Sequence, residues 1–532
     1  MSRNDRRRSA RDRADSWPRA GGGSVTWWVV ALTIAAGMLR FYRIGWQSLW
    51  VDELWTLKAA AVGGTLTASS LFTNVQGPAH AALVHLVSAV SSSEVALRGI
   101  SAVFGTLTVP VIYLLGAEIV DRRTGLIAAV LATVSPFLIW YSQELRNYAM
   151  LVFFAAAATL LVWRLVSSRM GPWVSYGATI ALAAVSNLSS VFLAAAHWVF
   201  ALPRMRDDRR FLLRWVLTFA VVLVVISPWI WGVSHWVRVD RVGERVTTPA
   251  TAGEQELLRG ETTFTPMAVP YSVYAMVYGY SVGPSSAELH TLGPAAAFRA
   301  HGPVVLAALV LLVVAGLSGI AAFARDRLRL RLLLSVAIVP MAAVTLLAML
   351  NIKVFNARYV AVMVPIVLVV LAAGIRRLPV PGAWVVGAGI VGLSLVGAAN
   401  YYWEPDYWRE DVRSAVRYIE SAERDGDVVL VPVVTDVFDH YYGGETPRFL
   451  LYPGQCGSDA EVAGRIDAGV EGHERLWLIR SRLWHADPDD RIDSYLGARH
   501  ELLQTASFPG VAVELYELRD NGPPAETTVD GG

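Results

Sequence analysis

Cysteine, lysine and charge are all scarce in this chain. Cys456 is the sole cysteine among 532 residues, which excludes any intrachain disulfide. Lys58 and Lys353 are the only lysines, and nearly every other cation is arginine, a usage that GC-rich coding favours. Charged residues make up 17% of the chain, against about 25% in ordinary globular domains. Hydrophobic residues make up 54% and mean hydropathy is +0.43. This balance excludes an ordinary water-soluble enzyme and implies a polytopic membrane protein. A net charge of +2 is too small to imply a nucleic-acid partner.

What the chain has instead is a series of long apolar runs. A helical span needs ~20 apolar residues, with a range of about 17–25. Candidates are 24–42, 95–118, 124–141, 148–166, 172–186, 188–203, 211–232, 303–324, 332–350, 355–374 and 382–400. Two of these divide one stretch, 172–203, that also reads as a single long helix. The bias of Arg and Lys toward cytoplasmic loops decides the case. With the stretch divided, every basic cluster falls on one side: the tail with Arg3, Arg6, Arg7, Arg8, Arg11 and Arg13, then Arg122-Arg123, Arg164 to Arg169, Arg204 to Arg210, Arg325 to Arg331, and Arg376-Arg377. The sequence therefore predicts about 11 transmembrane helices with a cytoplasmic N-terminus in the plasma membrane. The run after the tail lacks a small-residue cleavage site, so it reads as an uncleaved first span.

The predicted organisation has three parts. Residues 1–23 form a disordered basic tail. Residues 24–400 form the transmembrane domain, with outer loops 43–94 and 233–302. Residues 401–532 form a soluble extracytoplasmic α/β domain. In that last part, Trp408 to Ala422 reads as an amphipathic helix and 427–432, 476–479 and 511–516 read as strands; it shows no catalytic motif. Segment 264–283 is read as interfacial. Within it, Tyr271, Tyr274 and Tyr278 suit either an aromatic belt or a helix lining a lipid entrance.

Ionisable residues gather in the outer loops. Asp52-Glu53 stands in Ser48-Leu49-Trp50-Val51-Asp52-Glu53-Leu54-Trp55-Thr56, just after the first span. The same loop holds Lys58, His80 and His85. A second outer turn holds Tyr141-Ser142-Gln143-Glu144-Leu145-Arg146-Asn147-Tyr148, and a late one holds Lys353, Arg358 and Tyr359. The spans have almost no charge at mid-depth, where ion-coupled transporters keep their sites. Carboxylates and cations together at the outer surface suit transfer from a lipid-phosphate-linked sugar. Arg146, Arg358, Lys353 and Lys58 are candidates to hold the donor phosphate and the charge it gains on leaving. A carboxylate is then available to take the acceptor hydroxyl's proton. His80 and His85 are five apart, which does not place them on one helix face, so a metal held by that pair is disfavoured. A divalent metal on Asp52 or Glu53 with an outer-loop His stays open; no other cofactor is implied.

Trp50-Val51-Asp52-Glu53, Ser135-Pro136 with Tyr141 to Tyr148, and Arg358-Tyr359 opening a late span resemble the GT-C integral-membrane glycosyltransferases. Within them they resemble the branch that contains protein O-mannosyltransferases and the lipid A aminoarabinose transferase. Gln76-Gly77-Pro78-Ala79-His80 is similar to that branch's His-Pro-Pro-Leu-Tyr segment, with Gln76, Gly77 and His80 replacing its first His, first Pro and Tyr. The resemblance covers roughly 24–375. It implies a polyprenyl-phosphate-linked sugar donor, Asp52 as catalytic base with Glu53 beside it, Glu144 as a second acidic residue, and Arg146 and Arg358 facing the phosphate. Gln143, Tyr148, Tyr359 and His80 are assigned to the substrate pocket. The expected activity is inverting transfer of a hexosyl or pentosyl group, at the outer face, to a hydroxyl acceptor on a protein, glycan or lipid. A transporter or flippase for lipid-linked sugars and a non-enzymatic cell-envelope scaffold are the alternatives.

Overall fold

The computed structural model describes residues 23–74, 77–168, 171–239, 266–350, 355–432, 434–451, 456–482, 487 and 489–519. The basic tail over 1–22, Gln76 and Lys353 lie outside the described residues.

All eleven predicted segments are helical. Among the described residues, seven helices are long and apolar enough to cross a membrane, and eight if Arg122–Val134 and Pro136–Ser142, bent by 56°, count as one span. The remaining three fall short for physical reasons. Val25–Phe41 and Trp173–Ser186 are short apolar helices, and Ser190–Asp207 ends in Arg204, Arg206 and Asp207. The stretch 172–203 is indeed two helices. Asn187 leaves helical geometry at φ −160°, and its side chain accepts from Ser189 N at 2.9 Å. Large apolar side chains such as Val224, Leu306 and Val385 face outward, each more than half exposed, as a lipid-facing belt requires.

Local sequence signals set several helix boundaries. Ser93 caps Glu94–Ile119 and Asp121 caps Arg122–Val134, each accepting an otherwise orphaned backbone N–H. Ser135 ends one helix and caps the next, with Pro136 in the first helical position; this fixes the bend. Close helix contact relies on missing side chains: a Cβ on Gly374 would lie 1.8 Å from Ala315 O. Segment 264–283 contains an 11-residue helix, Ala268–Tyr278. Its Tyr274 and Tyr278 are buried in the core of the helical body.

The helix Val380–Trp403 leads into the α/β part. Among the described residues its five strands are β1 (Asp427–Leu430), β2 (Arg448–Phe449), β3 (Arg475–Arg480), β4 (Glu501–Phe508) and β5 (Val511–Glu517). They form one sheet in the order β2-β1-β3-β5-β4. β1 is parallel to β2 and β3, while β5 is antiparallel to β3 and β4. Every residue of β1 is buried, as expected of a parallel strand covered on both faces.

Alternate residues serve opposite faces. Val428, Leu430, Leu476 and Leu478 pack with Val462, Ile466, Ile492 and Leu496 of two helices. Val429, Trp477, Ile479, Val513 and Leu515 share the other core with Val412, Val416 and Ile419. That core also takes in Leu49, Leu54, Leu57, Ala81, Val84 and Leu145. The sheet is thus fused to the loop that carries Asp52-Glu53 and to the turn that carries Glu144, which fixes where the site sits.

Candidate active site

Asp52 and Glu53 open the helix Val51–Ala59. Both are buried, and adjacent positions on a helix point about 100° apart, so they meet different partners. Asp52 Oδ2 accepts from Arg358 Nη1 at 2.7 Å, and Arg146 Nη2 lies 3.9 Å from the same oxygen. Arg146 Nη1 also donates to Asp52 O at 2.9 Å and to Thr56 Oγ1 at 3.1 Å, which braces the first turn of the helix. Arg358 is placed by Asn356, whose side chain accepts from Arg358 N and caps the 3-10 turn Ala357–Met363. Its guanidinium lies 5.6 Å from the Tyr148 ring centre and 5.5 Å from that of Tyr359, a cation–π setting.

Glu53 is spoken for by Arg98. Arg98 Nε donates to Oε1 at 2.8 Å and Nη2 to Oε2 at 2.7 Å, while Leu145 N donates to Oε1 at 2.7 Å. The remaining Arg98 donors reach the carbonyls of Ile44, Gln47 and Ser48. Burial alone would push the Glu53 carboxyl up. Arg98, then Arg409 and the Leu145 amide outweigh that and hold it below the ordinary value, so it stays ionised. Glu53 therefore stands beside Asp52 as a charge committed to structure.

Glu144 has the opposite character. It lies in the turn between two helices, fully buried, and neither carboxylate oxygen has a hydrogen-bond partner among the described residues. Burial pushes its carboxyl up to about 7; Arg409 opposes that shift and Glu53 adds to it. Arg409 Nη2 lies 3.9 Å from Glu144 Oε2, and Arg409 Nη1 lies 3.7 Å from Glu53 Oε2. Sequence reasoning missed both Arg98 and Arg409. A faint signal existed for Arg98, an arginine four residues after Glu94 in the first turns of an apolar span. Arg409 had none, because it lies in the α/β part.

The other assigned residues divide. Tyr148 joins the cluster through Arg358 and packs on Tyr141 with ring centres 5.0 Å apart. Gln143 is buried with its amide donating to Arg40 O at 3.0 Å and Tyr42 O at 2.6 Å, so it ties the first helix to the turn. Lys58 does not join the cluster: its side chain is 64% exposed and pairs with Asp436 at 2.7 Å. His80 lines a small cavity with Thr56, Asn74, Gly77, Arg146 and Asn147. Burial, and then the Arg146 charge, push its imidazole down to about 3, which keeps it neutral. His85 faces elsewhere, with Nδ1 2.9 Å from Ala60 O. Among the described residues, no three His, Cys, Asp or Glu side chains converge to hold a metal ion. Asp52, Glu53 and Glu144 meet Arg98, Arg146, Arg358 and Arg409, and Arg98 also lies 3.6 Å from Glu94.

The family model described as dolichyl-phosphate-mannose-protein mannosyltransferase matches residues 75–231. Comparison with curated proteins gives no match. Among solved structures, apo ArnT from Cupriavidus metallidurans is similar with a TM-score of 0.55 and 13% identity, over 93% of this chain and 98% of ArnT. The chain has the GT-C glycosyltransferase fold. ArnT bound to undecaprenyl phosphate gives a TM-score of 0.53 at 13% identity, over 92% and 98% of the two chains. The GT-C fold is also met in the apo oligosaccharyltransferase of Archaeoglobus fulgidus, with a TM-score of 0.50 and 13% identity, over 88% of this chain and 71% of that one. The likeness to ArnT covers more of the chain than the 24–375 carried by the motifs.

Proposed function

We propose that this protein transfers a sugar from a polyprenyl-phosphate donor to a hydroxyl acceptor at the outer face of the plasma membrane, with inversion at the anomeric carbon. The observation that carries the reading is the Asp52 carboxylate held between Arg358 and Arg146. A donor phosphate competes with Asp52 for these two cations. As Arg358 turns toward the phosphate, the Asp52 carboxylate is released to accept the acceptor's proton. The acceptor oxygen then bonds to the anomeric carbon, the bond from that carbon to the phosphate oxygen breaks, and polyprenyl phosphate leaves with the electron pair. Arg146 and Arg358 stabilise the charge gained by the leaving group. ArnT has been solved with undecaprenyl phosphate, which supports a lipid phosphate of that kind as carrier here.

Eleven spans with a cytoplasmic N-terminus, and an α/β part outside, follow from the distribution of arginine clusters. The α/β part shares a core with the Asp52 loop, which supports the same side for both. The decisive experiment measures sugar transfer from polyprenyl-phosphate donors by the full chain in lipid nanodiscs, comparing wild type with Asp52→Asn. Loss of a general base is expected to lower kcat by ~10²–10⁴-fold. Full transfer by Asp52→Asn rejects the assignment. Protease accessibility of residues 401–519 from the cytoplasmic side would reject the sidedness.

A further inference from the structure

We propose that Arg409, supplied by the α/β part, is a positioning residue of the transfer site that holds Glu144 and controls when it ionises. The inference rests on the glycosyltransferase reading for its role in catalysis, but its geometry stands apart from that reading. Arg409 is 6% exposed and Glu144 is fully buried. Nε, Nη1 and Nη2 of Arg409 and both carboxylate oxygens of Glu144 have no hydrogen-bond partner among the described residues. A buried guanidinium and a buried carboxyl 3.9 Å apart, each without hydrogen bonds, are a costly arrangement that persists when function requires it.

Arg409 is held from three directions. Its backbone N donates to Gln47 Oε1 at 3.2 Å. The next carbonyl, of Glu410, accepts from Ser48 Oγ at 2.6 Å, and Asp411 N donates to Pro509 O at 2.8 Å in the β4–β5 turn. The side chain runs between two indoles, 5.8 Å from the ring centre of Trp50 and 5.0 Å from that of Trp140. These contacts fix the guanidinium between Glu53 and Glu144. Glu53 is already bidentate to Arg98, so the free hydrogen-bonding capacity of Arg409 is open to Glu144.

The consequence is an ionisation step under local control. A protonated Glu144 tolerates its burial without a hydrogen bond. Once it loses its proton, the carboxylate moves by less than the width of an atom to hydrogen-bond Arg409. The other charged and titratable groups that act on Glu144 are Glu53, Arg146, Arg358, Tyr141, Tyr280 and Tyr401. Of the cations among them, Arg146 and Arg358 are engaged with Asp52, which leaves Arg409 as the partner free to respond. In the transfer cycle this sets the charge of the acidic side while the phosphate departs.

The test reads the proton on Glu144 directly. Difference infrared spectroscopy of the full chain in lipid nanodiscs follows the protonated-carboxyl band across a pH titration, with Glu144→Gln identifying the band by its loss. In wild type the band is expected to disappear as pH rises through about 7. In Arg409→Gln the midpoint is expected to move upward by ~1–3 pH units, the effect of removing an opposite charge at this range. Arg409→Lys, which restores a cation, is expected to bring it back toward wild type. Arg409→Met serves the same purpose if Arg409→Gln does not fold. An unchanged midpoint in a folded Arg409→Gln or Arg409→Met variant overturns the proposal, and so does a Glu144 carboxyl already ionised at pH 5. No sugar transfer enters this readout, so failure of the Asp52→Asn assay and failure of this one are separate results.

Discussion

Arg98 closes on Glu53 with two parallel hydrogen bonds, 2.8 and 2.7 Å long, in a site where both side chains are 1% exposed or less. Its last donors hold the carbonyls of Ile44, Gln47 and Ser48, the residues that lead from the first helix to Asp52. One ion pair thus fixes the entry to the helix on which Asp52 stands. Its position beside Asp52 made Glu53 look like half of a catalytic pair. The bidentate pairing gives it the opposite task, holding its neighbour in place.

Removing one partner of that pair leaves the other as an uncompensated buried charge. Arg98→Ala is expected to destabilise the fold by ~3–5 kcal/mol, read as a fall in thermal midpoint in lipid nanodiscs. Arg98→Ala combined with Glu53→Gln is expected to recover a substantial part of that loss. A single variant as stable as wild type would remove the structural role.

Arg358→Ala is expected to raise the KM for the lipid-phosphate donor and to lower kcat, because the same guanidinium meets Asp52 in the resting site and phosphate in the proposed reaction. Arg358→Lys keeps the charge but loses the planar fork, so an intermediate defect is expected. Steady-state kinetics with donor as the varied substrate separate the two constants.

The two buried glutamates give opposite pH dependences. Glu144 binds its proton more tightly in the fold than in the unfolded chain, where 4.5 is the ordinary value. Its stabilising contribution is complete below about 4.5 and is lost as pH rises through about 7. Glu53 is held below the ordinary value, so its contribution is present above about 4.5 and is lost as pH falls below it. Denaturation midpoints from pH 4 to 8 are expected to flatten at the alkaline end in Glu144→Gln. The acid limb is expected to remain in that variant.

Gly77, in the first outer loop, packs against the helix end at Ser186. Its φ is +118°, and an added Cβ would lie 2.0 Å from Ser186 O. Gly77→Ala is expected to cost about 1–3 kcal/mol from backbone strain alone, with more from the clash. Lys58→Ala offers a contrast, since its ion pair with Asp436 is largely exposed; surface pairs of that kind contribute ~0–1 kcal/mol. Thermal midpoints of the two variants, measured side by side, should separate them clearly.

Much of the architecture was legible in the chain alone. Runs of ~20 apolar residues give helices because a helix satisfies all its backbone hydrogen bonds within one segment in a membrane. Arginine placement divided 172–203 correctly, and alternating or continuous apolar runs located β1, β3 and β5. Local motifs also marked Asp52, Glu144, Arg146 and Arg358 as members of one site. Only the tertiary structure decided what each does there, because partner choice depends on residues hundreds of positions apart. It paired Asp52 with Arg358, bound Glu53 to Arg98, turned Lys58 toward Asp436, and brought Arg409 from the α/β part to face Glu144. Burial and the nearest charge determine whether a carboxylate holds or releases its proton, and neither can be read from sequence spacing.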